Sequence, residues 1–155
     1  MFRELGIELS RKSMSQWVIR CSELLEPITQ ALRQHLLKQR VINADETTLN
    51  VTNEEKSTCY MWVYCAGKDK LSNSVLPNIV LYDYQNNRRG ECVVNYLDGY
   101  TGYLQVDGYQ AYGQTKATLA GCMAHARRKF TDAKAVQPKN KTGKSDVVLT
   151  LIQTL

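Results

Sequence analysis

The chain has 155 residues, 43% of them hydrophobic and 23% charged, with a formal net charge of +5 and a pI near 9.0. That length is expected to form one domain, and the apolar content is enough to bury a core. No apolar run approaches the roughly 18 to 20 residues of a membrane span, and the N-terminal MFRELGIELSRK has no signal-peptide apolar region, so the expected setting is cytoplasmic, without a membrane partner.

A long amphipathic helix is predicted first. Ser13 with Gln16 three residues later forms a capping box, and Met14, Trp17, Val18, Cys21, Leu25, Ile28, Leu32 and Leu36 follow the helical period. Pro27 removes an amide donor and should kink this helix or divide it near Glu26. Two readings of its start are open. In LGIELSRKSMSQW it is the second half of a helix-turn-helix with Ser10 to Ser15 entering a groove, or else it is a helix packed on the core.

From Val41 the period becomes extended. RVINADETTLNV (40–51), CYMWVYCAG (59–67) and NIVLYDY (78–84) read as three successive strands, bounded by turn formers that include Gly67, Asn73 and Pro77, and this implies antiparallel pairing. A short helix is predicted from Gly90, with Val93, Val94 and Leu97 on its buried side and Gly99 at its end. A fourth strand, Tyr103 to Val106, can then lie parallel to an earlier one. A helical piece (109–116), a fifth strand in ATLAGCM (117–123), a basic helix in AHARRKFTDAKA (124–135) and a terminal amphipathic helix capped by Ser145 complete the order. The predicted class is therefore α/β. Residues 1–39 form a helical segment, 40–135 the sheet and its helices, and 136–155 a basic loop and helix.

Two acidic residues stand out because their positions disfavour them. Asp45 lies inside the first strand, where Asp is poorly suited, and Asp107 closes the fourth. Neighbouring strands would bring both carboxylates to one cation. Asp107 also has a plainer reading, an ordinary turn with Gly108 at positive φ. Glu46 adjoins Asp45 but should leave the strand on the opposite face, and Glu91 and Asp132 fit no such pair. Five cysteines, an odd number without a C-x-x-C pair, argue against a disulfide framework and a four-cysteine zinc site, so they are expected to be reduced and mostly buried. Cys122 and His125 have partial zinc spacing, but there is no second pair to complete four ligands. The consecutive Arg127, Arg128 and Lys129, the pair Arg88 and Arg89, and Lys134, Lys139, Lys141 and Lys144 form either a polyanion-binding surface or a solvated face.

The order of elements, with one Asp within the first strand and one ending the fourth, resembles the ribonuclease H-like fold of polynucleotidyl transferases. ADET (44–47), YMWVY (60–64), YLQVDGYQAY (103–112) and GCMAHARRKF (121–130), together with SRKSMSQW (10–17), resemble the DDE transposases of insertion-sequence family sixty-six. The resemblance covers most of the chain and implies a mixed sheet whose first and fourth strands are parallel neighbours.

By that resemblance Asp45 and Asp107 match the family's first two catalytic aspartates and would ligate Mg2+ or Mn2+ for cutting and joining DNA strands. Arg127, Arg128, Lys129 and His125 would face DNA, with Arg127 and Lys129 the pair expected to share a phosphate path. His125 near the scissile phosphate and His125 as an ordinary hydrogen-bonded side chain both stay open. The family's cysteine-rich zinc region and its catalytic Glu, in a motif like Asp-Asn-x-x-Glu-Arg, are not found in these residues, so the chain is expected to be part of a transposase and inactive alone. Two function classes follow. One is a metal-dependent transposase, or the piece of one that holds two of three acids. The other is a non-catalytic product that binds DNA or transposase, and self-association fits both.

Overall fold

The computed structural model describes residues 4, 6, 8–52, 57–66, 78–138 and 142–154. Helix α1 (Arg11–Leu36) comes first, followed by strands β1 (Val41–Asn50), β2 (Thr58–Ala66) and β3 (Ile79–Gln85). Then come helix α2 (Gly90–Tyr96), strand β4 (Tyr103–Val106), a 3-10 turn (Gln110–Gln114), strand β5 (Thr118–Gly121) and helices α3 (Met123–Ala135) and α4 (Lys144–Gln153). The five strands form one mixed sheet in the order β3-β2-β1-β4-β5. β1, β2 and β3 pair antiparallel, while β4 runs parallel to β1 and to β5. The α/β class and the element order match the expectation. The turn formers Gly67, Asn73 and Pro77 lie outside the described residues, as do Lys139, Lys141 and Leu155.

Strand alternation makes one face of this sheet the core. Ile42 and Ala44 on β1, Trp62, Tyr64 and Ala66 on β2, Leu81 on β3 and Leu104 and Val106 on β4 are buried. Cys92, Val93, Leu97, Ala111 and Tyr112 cover them from α2 and the 3-10 turn. Tyr64 stacks on Tyr96 with ring centroids 4.0 Å apart. The chain leaves α2 through Gly99, whose φ of 80° suits a residue without Cβ, as expected. The opposite face is largely open: Val80, Tyr82 and Tyr84 on β3 and Tyr103 on β4 are exposed.

The first helix departs from expectation in three ways. Its cap is Ser10, whose side chain accepts from the Ser13 backbone N–H, so the capping residue lies three positions before the predicted Ser13. The helix is continuous through Pro27. The carbonyl that loses its donor belongs to Glu23, which is exposed, so water can take the missing place. Finally, α1 does not pack along the core. Met14, Trp17, Val18, Leu25, Ile28 and Leu32 are exposed, and Leu36 is its one buried residue. Among the described residues it is tied down at its C-terminal end, where Arg33 donates to the Tyr96 and Asn95 carbonyls at the end of α2 and lies over the Tyr96 ring. The residues a preceding helix would use, 1–3, 5 and 7, lie outside those described.

At the other end α4 is capped at Gly143, not Ser145, with the Asp146 carboxylate accepting the Gly143 N–H at 2.9 Å. Ser145 is instead buried and bonded to the Gln137 amide. Cys59 and Cys92 are buried, Cys65 and Cys122 half-buried and Cys21 exposed, so fewer cysteines sit in the core than expected. They carry no disulfide. No helix among the described residues is long and apolar enough to cross a membrane.

The buried tyrosines make a pH prediction. Burial pushes the Tyr96 and Tyr100 phenols up to about 12, and raises Tyr64 and Tyr112 further. An unfolded phenol ionises near pH 10. Groups raised on folding stabilise fully below the unfolded value, and that stability is lost as pH climbs towards the folded one. Denaturant midpoints should therefore hold up to about pH 10 and drop steeply between there and about 12. A midpoint flat across that window would mean these phenols are not buried.

Candidate metal and nucleic-acid cleft

The C-terminal ends of the parallel strands define the site. The β1–β4 ladder pairs Val41 with Tyr103, Ile42 with Leu104 and Asn43 with Gln105, and the same offset carries Asp45 level with Asp107. Both carboxylates line an open cleft of about 970 Å³. The Asp45 side chain is 59% exposed on the open face of the sheet, and its Oδ1 accepts the Glu46 N–H at 3.0 Å. Asp107 Oδ1 accepts the Tyr109 N–H at 2.8 Å, closing a turn two residues long. Gly108 does not adopt positive φ, so the turn depends on this side-chain bond and not on glycine backbone freedom.

Helix α3 forms the opposite wall. His125, Ala126, Arg128, Lys129 and Asp132 line the cleft, a set spaced as one face of a helix. Arg127 is not among them, because at about 100° per residue it falls on the side of the helix away from His125, Arg128, Lys129 and Asp132. The pair facing the cleft is thus Arg128 and Lys129, in place of Arg127 and Lys129. Asp132, set aside in the sequence, lies on this wall one turn beyond Arg128 and Lys129. The first turn of α3 also directs the positive end of the helix towards the cleft. His125 Nε2 stands 3.7 Å from Asp45 Oδ2, too far for a hydrogen bond but an ion pair when the imidazole is protonated. Its buried Nδ1 has no hydrogen-bond partner.

Glu46 leaves β1 on the face opposite Asp45, as strand alternation requires. Its side chain is only 2% exposed, and it accepts from Arg88 and from the Tyr112 hydroxyl. Burial alone would lower the Arg88 pKa, but the Glu46 carboxylate outweighs that and raises it. Arg88 therefore serves an internal ion pair and is not part of a free basic surface. Lys134 likewise pairs with Asp146 at 2.7 Å. No local pattern announces the Glu46–Arg88 pair, whose members are 42 positions apart.

Paired hard oxygen donors suit Mg2+ or Mn2+, and Asp45 and Asp107 present them from one level of adjacent strands. Among the described residues no group of three or more His, Cys, Asp or Glu side chains is placed to hold a metal ion. The pair fits a hard cation, therefore, but supplies two ligands and not a full set.

The model of the Transposase IS66 family matches residues 1–155. The uncharacterized protein y4qI of Sinorhizobium fredii (strain NBRC 101917 / NGR234) is 33% identical over 141 residues, covering 82% of this chain and 26% of that protein. The uncharacterized protein y4hP of the same strain is 31% identical over 145 residues, covering 88% of this chain and 26% of its own length. The chain thus spans about a quarter of the length of these curated relatives. No solved structure matches it.

Proposed function

This chain belongs to the IS66 transposase family, and from that premise we propose that it carries part of the catalytic centre of a DNA transposase with a ribonuclease H-like core. The observation that carries this reading is the placement of Asp45 level with Asp107 on neighbouring parallel strands, facing a cleft walled by Arg128 and Lys129. In this proposal the two aspartates hold Mg2+ or Mn2+. When bound, such a cation activates the attacking oxygen and stabilises the leaving one in phosphoryl transfer. Arg128 and Lys129 bind the DNA backbone and orient it along α3, assisted by the positive end of that helix. His125, beside Asp45, holds or releases a proton next to the bound phosphate. A third carboxylate comes from beyond the described residues, consistent with relatives of whose length this chain spans about a quarter.

A second reading draws on the same shortage of ligands: the 155 residues bind DNA or transposase without chemistry. One experiment separates the two. The longer protein that contains this chain is incubated with DNA bearing the element's ends, with and without Mg2+. Cation-dependent strand cutting that disappears in Asp45→Asn supports the transposase reading, and binding with no cutting under any cation favours the second.

The basic wall yields its own prediction. Replacing both Arg128 and Lys129 by Gln should weaken DNA binding about equally across sequences and reduce the slope of log affinity against log salt by roughly 2, since each phosphate contact contributes about 0.9. Arg127→Gln should leave that slope nearly unchanged. Equal effects of Arg127 and Arg128 would mean that DNA does not follow the cleft.

A further inference from the structure

Behind the two cleft aspartates, a chain of contacts joins the strand that carries one to the turn that carries the other. Glu46, next to Asp45 on β1, accepts from Arg88 Nε at 2.9 Å and from the Tyr112 hydroxyl. The Arg88 guanidinium lies over the Tyr109 ring, 3.8 Å from its centroid, and the Tyr109 hydroxyl donates to the Arg88 carbonyl at 2.7 Å. The Tyr109 backbone N–H in turn donates to Asp107 Oδ1 at 2.8 Å. The run closes from Asp45 through Glu46, Arg88 and Tyr109 to Asp107. Glu46 is almost wholly buried and Arg88 is exposed, and both line the cleft.

We infer that Glu46, Arg88 and Tyr109 are positioning residues that brace Asp45 against Asp107, setting the separation of the two carboxylates that take up a divalent cation. The physical case rests on what the ladder leaves unfixed. The β1–β4 pairing ends at Asn43 and Gln105, two residues short of either aspartate. Beyond that point no backbone pairing between these strands holds Asp45 level with Asp107. Asp45 is held by its pairing with Val63 of β2, but Asp107 lies past the last residue of β4, and ligands whose mutual spacing is unfixed lose affinity to the entropy of ordering them, a cost that supporting contacts remove in advance. An Arg fork on a buried carboxylate is directional, and its ring contact with Tyr109 adds a cation–π attraction across the gap. A buried ion pair on its own contributes little net stability, which makes a geometric role the better account of why the pair is there.

This inference rests on the reading of Asp45 and Asp107 as cation ligands, and its test keeps the two apart. Mn2+ is titrated into the 155-residue chain and its variants, and hydrogen exchange of the Tyr109 amide is followed without metal. Arg88→Met and Glu46→Gln should weaken Mn2+ binding about tenfold, as loss of a supporting contact to a ligand commonly does. The Tyr109 amide should exchange faster in both, while amides of the central strands at Trp62 and Leu104 keep their protection. Arg88→Lys, which keeps charge but not the fork, should recover only part of the affinity. Tyr109→Phe, which keeps the ring under Arg88 and removes one hydroxyl, serves if Arg88→Met fails to fold, and should show the same effects more weakly. Wild-type Mn2+ affinity in Arg88→Met and Glu46→Gln, alongside lost binding in Asp45→Asn, overturns the brace and leaves the cation site standing. Equal Mn2+ binding by wild type and Asp45→Asn overturns the brace together with the reading beneath it.

Discussion

Asp45→Asn and Asp107→Asn are each expected to weaken Mg2+ or Mn2+ binding by more than about 100-fold, because losing a supporting contact alone commonly costs 10 to 100-fold and these changes remove a ligand. Neither should lower the melting temperature of the metal-free chain. Two carboxylates held level on adjacent strands repel when no cation lies between them, and Asn keeps the shape while removing the charge. In Asp107→Asn the side-chain oxygen can still accept the Tyr109 N–H, so the turn survives. Asp45 is more than half exposed, so its replacement leaves no cavity. A loss of cation affinity together with unchanged or higher thermal stability is the signature of a functional carboxylate pair, since replacing a purely structural Asp would lower stability and leave cation affinity unchanged. Calorimetry that finds equal binding by wild type and the double Asn variant would remove the cation assignment.

How far the sequence led depended on whether a feature was local. Asp45 was legible because one residue contradicts the strand around it, and Asp107 because it directly follows a short apolar run. A helix intervening after three successive strands allowed β4 to run parallel to an earlier strand, while its place beside β1 came from the resemblance to the ribonuclease H-like fold. Other features needed contacts between distant residues. Glu46 looked like an ordinary neighbour of Asp45, and nothing in its vicinity announces an Arg 42 positions on. The choice between Arg127 and Arg128 depends on the rotational phase of α3, and three consecutive basic residues carry no phase information. The helix starts were misplaced for a related reason: Ser10 and Ser13 both have the right chemistry for a cap, and only the backbone at Ser10, extended with ψ near 148°, distinguishes them. The exposed stripe of α1 shows the limit of periodicity, which reports that a helix has an apolar side but not what covers it.

Trp62→Ala is expected to destabilise the chain by about 3 to 5 kcal/mol, the usual cost of emptying a large aromatic site. For a chain of this size each kcal/mol lowers the melting temperature by about 2 to 4 °C, so the total loss is a large share of an ordinary folding free energy of about 5 to 15 kcal/mol. Trp62 is fully buried on β2, between Glu46 of β1 and Asp83 of β3 in the ladder, and meets Tyr112 edge-on at 5.8 Å. Its loss therefore also loosens the phenol that donates to Glu46, and the effect should reach the cleft as faster exchange of the Tyr109 amide. Trp62→Phe is the informative partner. The indole N–H is buried without an acceptor, so Phe gives up some packing area but also removes an unsatisfied donor, and should cost much less than Ala. Tyr82→Ala, on the open face and 66% exposed, should stay within about 0.5 kcal/mol of wild type. Thermal melts of the three variants side by side decide the matter: if Trp62→Ala and Tyr82→Ala melt together, the sheet buries a different face, and Asp45 and Glu46 exchange places.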